Sequence, residues 1–349
     1  MKIFLDGIVY SIQNFGGISV YFNELIRTLE NESCKFQITT YNDKKQNPLP
    51  SNSEVTENCR LLERYRSCKI NSNEFDIFHS TYYRNPEDRK IKKVVTVHDF
   101  VYEHYNNGLR KFVHSYQKFS SIRNADRIIC ISEATKKDLL HFLPDIDESL
   151  IDVIYNGVSN AYHPDNIANS EGQPFLLFIG ARGGYKNFQA VAKSLEYLKD
   201  FKLICVGGGK LSESDLSDLP SSIQDRIEHA GFLSEEAINH LYNQAFCLVY
   251  PSSYEGFGIP VAEAMQAGCP VVVSQCEAVI EVGQESLTVV ETLDSFEFAK
   301  GVEKLFDAEY RQEKIRSGLI LSKKYDWRKT HQHTLDVYRK ALGQSSSSY

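Results

Sequence analysis

No stretch of this chain approaches the eighteen or so consecutive apolar residues of a membrane-spanning helix, so none of it is a candidate span. None of its eight cysteines (34, 59, 68, 130, 205, 247, 269 and 276) belongs to a C-x-x-C pair. Cys130, Cys205 and Cys247 fall in strand-like runs, which reads as buried free thiols of a cytosolic protein and not as a disulfide framework. Neither H-E-x-x-H nor a zinc-ligand spacing occurs, so no metal site is expected. Gly207-Gly208-Gly209-Lys210 lacks the Walker spacing, the following Ser or Thr, and the full dinucleotide fingerprint. Solenoid-length repeats are absent, and only Ser345–Ser348 is of low complexity. The opening MKIFLDGIVY reads as a first strand without the long apolar region or cleavage site of a signal peptide, so a cytoplasmic location is expected.

What is present is globular: 42% apolar and 24% charged residues over 349 positions, long enough for two cores. The formal charge of −7 is unevenly placed. Residues 1–160 hold 21 basic and 21 acidic side chains, whereas residues 161–349 hold 18 and 25. An acidic second half argues against nucleic acid as a partner. The first half carries local basic clusters, Arg60–Lys69 and Arg89–Lys93, beside the amphipathic stretch Leu109–Phe119. Solvated helix faces account for such clusters; a peripheral contact with anionic lipid at the inner face of the cell membrane is the sharper expectation.

Short β-like runs alternate with helix-like segments almost throughout. Strands are predicted at Lys2–Leu5, Phe36–Tyr41, Asp76–Phe78, Val94–Val97, Arg127–Cys130 and Ile151–Ile154. A second set is predicted at Phe175–Ile179, Lys202–Val206, Cys247–Tyr250, Val271–Val273 and Leu287–Val290. Between them, Ile18–Leu29, Glu133–Phe142, Asn187–Leu198 and Ser234–Ala245 show apolar residues at three-to-four spacing. That alternation predicts an α/β protein with parallel sheets covered by helices on both faces. The polar, aperiodic Tyr162–Pro174 marks a linker between two such domains. Ligands of open α/β sheets sit beyond the carboxyl ends of the strands, which places the expected site between the two.

Loops at strand ends carry the candidate chemistry. Gly16-Gly17 precedes the helix Ile18–Leu29 and would let backbone approach an anion at a helix N-terminus, although a simple tight turn fits the spacing equally. His98-Asp99 follows a strand directly, and Ser132 reads as an N-cap. Arg182 and Lys186, separated by Gly183-Gly184, suit a diphosphate, while ordinary exposed charges fit as well. Asp145-Ile146-Asp147 has the D-x-D spacing of metal-dependent transferases but reads as a solvated connection. The stretch Cys247–Ser274 has the richest pattern: strand, glycine-rich loop with Glu255, helix with Glu263, strand. Pro260 suits a first helical turn, and Gly268 followed by Pro270 is a stop signal.

E-G-F-G-I-P-V-A-E at 255–263 resembles the E-x7-E motif of retaining glycosyltransferases of the GT-B fold, family 4. The resemblance runs along most of the chain: Gly16-Gly17-Ile18, T-V-H-D at 96–99, A-D-R-I-I-C-I-S-E at 125–133, Y-N-G-V at 155–158, F-I-G-A-R-G-G-Y-K-N at 178–187 and A-G-F-L at 230–233. It implies two Rossmann-like, doubly wound domains facing across a deep cleft. Residues 1–165 would form the acceptor-side domain and 170–325 the nucleotide-sugar domain, with a C-terminal helix at 327–342 crossing back to the first on Trp327, Leu335 and Tyr338.

By the same resemblance Glu255 would hydrogen-bond donor-sugar hydroxyls, helped by the backbone at Phe257, Gly258 and Ile259, and Glu263 would bind the ribose. Arg182 and Lys186 would neutralise the diphosphate with amides near Gly16 and Gly17, His98 would approach the sugar near its sixth position, and Phe232 would lie beside the base. Relatives leave more residues between the arginine and the lysine than the three found here, which makes Lys186 the firmer assignment. The implied activity is metal-independent transfer of a hexose, with mannose from GDP-mannose as leading donor, onto a glycan or lipid-linked acceptor in bacterial surface-polysaccharide synthesis. No cofactor is implied beyond the nucleotide sugar. An epimerase on the same fold, or a nucleotide-sugar-binding module without activity, are the rival readings.

Overall fold

The computed structural model describes residues 1–12, 16–41, 54–165 and 172–344, so parts of the 42–58 stretch and of 162–174, where a linker is expected, and the serine tail, lie outside the described residues. The chain divides into two units, Met1–Gly157 with Trp327–Tyr349, and Val158–Asp326.

The first unit is built on seven parallel strands: β1 (Lys2–Asp6), β2 (Lys35–Tyr41), β3 (Glu54–Glu57), β4 (Ile77–Ser80), β5 (Lys92–Val97), β6 (Arg127–Cys130) and β7 (Ile151–Val153). Their order is β3-β2-β1-β4-β5-β6-β7, so the chain winds outward from β1 and then reverses at β4. The second unit has six: β8 (Phe175–Ile179), β9 (Lys202–Val206), β10 (Ile227–Gly231), β11 (Cys247–Tyr250), β12 (Val271–Val273) and β13 (Leu287–Val289). They run β10-β9-β8-β11-β12-β13, reversing between β8 and β11. At such a reversal the loops leaving neighbouring strands diverge to opposite faces and open a crevice at the strands' carboxyl ends. The loop after β8 carries Lys186, and the loop after β11 carries Glu255.

Strands buried on both faces read as continuous apolar runs, and this is why most of them are legible. The two that the sequence pattern misses are edge strands. β3 is EVTE, half polar and lying against β2 alone; β10 is IEHAG, lying against β9 alone. Among the described residues all eight cysteines are free thiols. Ser132 caps the helix Glu133–Phe142, accepting from the Thr135 amide at 2.9 Å. The D-x-D pair is structural: Asp145 binds Arg123 at 2.8 Å, and Asp147 accepts from the Ser149 amide at 2.9 Å. No helix among the described residues is long and apolar enough to cross a membrane.

The C-terminal helix Trp327–Ala341 packs into the core of the first unit with Ile3, Leu5, Leu25 and Val94. Leu335 and Tyr338 are fully buried, and the Tyr338 hydroxyl lies 2.7 Å from Nδ1 of His79. His331 of the same helix stacks on Trp327 with ring centroids 5.4 Å apart and 6° between planes. Thr330 donates to the Tyr155 carbonyl at 2.8 Å. This docking depends on Gly157. A Cβ there would fall 2.2 Å from the Trp327 amide nitrogen and 2.5 Å from its Cα, and both are backbone atoms that cannot move aside. Gly157→Ala is therefore expected to destabilise the first unit by about 1–3 kcal/mol, as overpacking does in a rigid site. Thermal denaturation followed by circular dichroism checks this, and an unchanged midpoint would contradict it.

Candidate functional site

The second unit assembles the densest chemistry. β11 ends at Tyr250, and the chain then runs through a loop to Gly258, whose φ of 98° glycine alone adopts without strain. A Cβ at Gly258 would also sit 3.0 Å from the Val279 side chain. From there helix Ile259–Ala267 begins with Pro260 in its first turn, so Gly258 and Ile259 supply the N–H groups at its positive end and Pro260 supplies none. Phe257 is buried edge-on against Tyr325, ring centroids 5.4 Å apart, which pins the loop just before the helix.

Glu255 lies on this loop, and Lys186 reaches it from the loop after β8. Lys186 Nζ donates to Glu255 Oε1 at 2.5 Å and to the Tyr250 hydroxyl at 3.3 Å. Both charged side chains are mostly buried, at 14% and 13% exposure, which strengthens their attraction but leaves each reachable. Burial, and then the neighbouring Glu255 carboxylate, hold the Tyr250 hydroxyl well above the usual tyrosine range, so it stays a neutral donor. Asn187 ties the two loops together. In a left-handed conformation (φ 47°), its side-chain amide donates to Tyr185 O, Pro251 O and Ser253 Oγ at 2.6–2.9 Å. Asn187 is not among the site residues expected from the sequence, where its signal is the lysine–asparagine pair itself.

Arg182 does not stand free beside Lys186. Its Nε donates to Asp215 at 3.0 Å, and Nη1 and Nη2 donate to the carbonyls of Gly207, Gly208, Gly209 and Lys210 at 2.7–3.2 Å. Gly207, Gly208 and Gly209 all have φ between 69° and 78°, a run that turns these carbonyls onto one guanidinium. Arg182 is a clamp on this loop. Nearly every donor of Arg182, expected beside the diphosphate, is committed to this loop and to Asp215.

Glu263 sits about one turn inside the helix, and its carboxyl is lodged against two tyrosines. Tyr242 donates to Oε2 at 3.0 Å, and Tyr162 hydrogen-bonds the same group. The residue is partly exposed, but the carboxyl is deep enough that burial outweighs these bonds and pushes its pKa up to about 7. Phe232, after the edge strand β10, is 75% exposed. Among the described residues no three His, Cys, Asp or Glu side chains cluster so as to hold a metal ion.

The first unit carries the other candidates. Gly16 and Gly17 open helix Gly17–Asn31, where Ser19 folds back to donate to Gly16 O at 2.8 Å and accept from its N–H at 3.1 Å. His98 directly follows β5 and is more than nine-tenths buried, edge-on to Tyr21 with centroids 5.2 Å apart. Burial, with Lys118 adding to it, drives its pKa down to about 3, so the ring is neutral at physiological pH. Its Nε2 is buried without a hydrogen-bond partner, a cost that a ligand hydroxyl would relieve.

The raised pKa of Glu263 has a consequence for stability. Because the folded-state value of about 7 lies above a glutamate's ordinary 4.5, the carboxyl stabilises fully below pH 4.5. That contribution is lost as pH rises through 7, about 3 kcal/mol in all. Glu263→Gln should therefore gain stability relative to wild type between pH 5 and pH 8 in urea titrations; parallel curves would contradict the assignment.

Similarity to known proteins follows the same division. Residues 15–161 match the family model described as "Glycosyltransferase Family 4", and residues 162–318 match "Glycosyl transferases group 1". The O-antigen chain mannosyltransferase RfbU of Salmonella typhimurium is 31% identical over 223 residues, 62% of this chain and 62% of that protein. An uncharacterized glycosyltransferase of Methanocaldococcus jannaschii, MJ1178, is 25% identical over 97% of this chain and 98% of its own length. Among solved structures, sucrose-phosphate synthase from Thermosynechococcus elongatus superposes with a TM-score of 0.80 at 16% identity, covering 98% of this chain and 99% of that one.

Proposed function

Because the chain belongs to the group 1 glycosyltransferases, with a family 4 amino-terminal half and the GT-B fold, we propose that it transfers a hexose from a nucleoside-diphosphate sugar to a glycan or lipid-linked acceptor, with retention. GDP-mannose is the favoured donor and bacterial O-antigen or capsule assembly the favoured setting, readings supported by the mannosyltransferase among the relatives. The observation that carries the proposal is the Lys186–Glu255 pair beside the start of helix Ile259–Ala267.

Transfer breaks the bond between the anomeric carbon and the phosphate oxygen and leaves negative charge on the diphosphate. Lys186 and the N–H groups of Gly258 and Ile259 are fixed positive groups for that charge, in the role a metal would otherwise take. When a diphosphate draws Lys186 away, Glu255 is left with acceptor capacity for sugar hydroxyls. Glu263 takes the ribose hydroxyls, and Phe232 lies beside the base. Neutral His98 cannot serve as a proton donor of imidazolium type; its open Nε2 suits a hydrogen bond to a sugar hydroxyl. The acceptor oxygen attacks on the face the phosphate leaves, and its proton passes to the departing phosphate oxygen, so no protein base is required. Arg182 acts only through the 207–210 loop it clamps.

Removing one such fixed donor typically costs about 10²–10³ in turnover. Lys186→Ala should lower kcat for hexose transfer by that factor while the protein still unfolds cooperatively. Transfer from a panel of nucleotide sugars to lipid-linked glycans, with product analysed by mass spectrometry, measures this. Near wild-type turnover by the folded variant would remove Lys186 from the reaction.

A further inference from the structure

The first unit has a polar cavity at the end of its sheet opposite to His98. It measures about 580 Å³ and opens where β5 and β6 begin, between the connection from β4 to β5 and the last turn of helix Gly108–Arg123. Small-molecule sites typically measure roughly 300–1,000 Å³. Lys93 stands on its wall near the start of β5, whereas His98 follows the other end of that strand, roughly 16 Å away at about 3.3 Å per residue. None of the candidate transfer residues lines it.

A buried lysine braces the wall. Lys93 is 2% exposed, and its Nζ donates to Asn85 Oδ1 at 2.5 Å, to the Ser121 carbonyl at 2.7 Å and to Ser121 Oγ at 2.8 Å. Ser121 O is one of the last four carbonyls of its helix, which have no partner within the helix. Asn85 also donates to Ser120 Oγ at 3.3 Å, so one lysine and one amide pin the β4–β5 connection to the helix end. An apolar side chain at position 93 would serve packing at less desolvation cost. The lysine instead fixes a wall made of polar groups.

Charge and hydrogen-bonding capacity identify the ligand. On this wall Arg123 is already paired with Asp145 at 2.8 Å, and Asp126 with Lys92 at 2.7 Å. Arg89 has no partner among the described residues, and the Glu87 carboxylate meets only Arg60, at 3.5 Å. Asn124 donates its side-chain amide to the Ser120 carbonyl at 2.7 Å and keeps Oδ1 as an acceptor. What is left over is one cation, one anion and neutral groups, a wall of no net sign. A phosphate or carboxylate would face Glu87, Asp126 and the negative end of the helix, and a cation would face Arg89 and Arg123. No aromatic ring lines the cavity, so a nucleobase would find nothing to stack on. Sugar hydroxyls, each both donor and acceptor, match amide, carboxylate and guanidinium groups together. We infer that this cavity binds an uncharged saccharide through Glu87, Arg89 and Asn124, as a second carbohydrate site remote from the reaction. In a glycosyltransferase such a site would raise the effective concentration of a glycan long enough to reach both. The binding itself does not depend on transfer.

The test is isothermal titration of the full chain with mannotriose, maltotriose and cellotriose, beside a double variant, Glu87→Ala with Arg89→Ala, that leaves the net charge unchanged. Both side chains are exposed, so the thermal midpoint should hold. At least one trisaccharide should bind wild type at about 1 mM or tighter, and the double variant should bind it at least about tenfold more weakly. Asn124→Ala, which keeps both charged groups, should weaken binding as well, and inorganic phosphate at the same concentration should not compete. Absence of binding by all three trisaccharides, undiminished binding by both variants, or displacement by phosphate would overturn the inference. A nucleotide sugar that binds wild type and double variant equally, where no trisaccharide binds, would sink this inference and leave the proposed transfer site standing.

Discussion

Everything at the candidate site depends on two hydrogen-bonded strands whose loops part company. β8 and β11 pair in parallel, Cys247 against Leu176 and Leu248 against Leu177, although some seventy residues of chain separate them. Because the chain reverses its winding there, a cation leaving one strand and a carboxylate leaving the other meet at 2.5 Å in a partly dry crevice. Asn187 then stitches the loops together, so the charges are held by backbone and not by their own attraction alone. Fixed charges of this kind need no reorganisation when a leaving group develops charge, and this makes the pair suited to a phosphate.

The ion pair is also a statement about the resting protein. Lys186 and Glu255 satisfy each other until something better arrives, so neither is left as an uncompensated buried charge. His98 is held differently. Its ring is buried and kept neutral, and its Nε2 has no partner among the described residues. One group is thus stored as a pair that a ligand can part, the other as an unmet hydrogen bond that a ligand can fill. Glu263 is a third case, a carboxyl held near its point of ionisation by burial beside Tyr242 and Tyr162.

How much of this is legible in the sequence depends on how far each feature rests on local pattern. Central strands such as Cys247–Tyr250 and Phe175–Ile179 are continuous apolar runs, and the structure places them at those residues. Edge strands β3 and β10 carry Glu, Thr and His toward solvent and lose that signature. Glu255 on its loop and Glu263 one turn into the helix follow from glycine and proline placement. Arg182 does not, because its role is set by three left-handed glycines far along the chain whose carbonyls converge on it. The tyrosines around Glu263 are equally unreadable, since only tertiary packing brings Tyr162 and Tyr242 to one carboxyl. Leu62 shows the limit from the other side: nothing in R-L-L-E-R announces its left-handed conformation (φ 59°), beside the buried Glu63–Arg84 pair.

The central claim is that a nucleoside-diphosphate sugar is held between Lys186, Glu255 and the head of helix Ile259–Ala267. Isothermal titration with a panel of nucleotide sugars, GDP-mannose and UDP-glucose among them, and with the matching nucleoside monophosphates tests it most directly. At least one diphosphate sugar should bind well above its monophosphate, since the second phosphate and the sugar are what Lys186 and Glu255 would contact. If no nucleotide sugar binds, or if monophosphates bind as tightly as diphosphate sugars, the account is wrong.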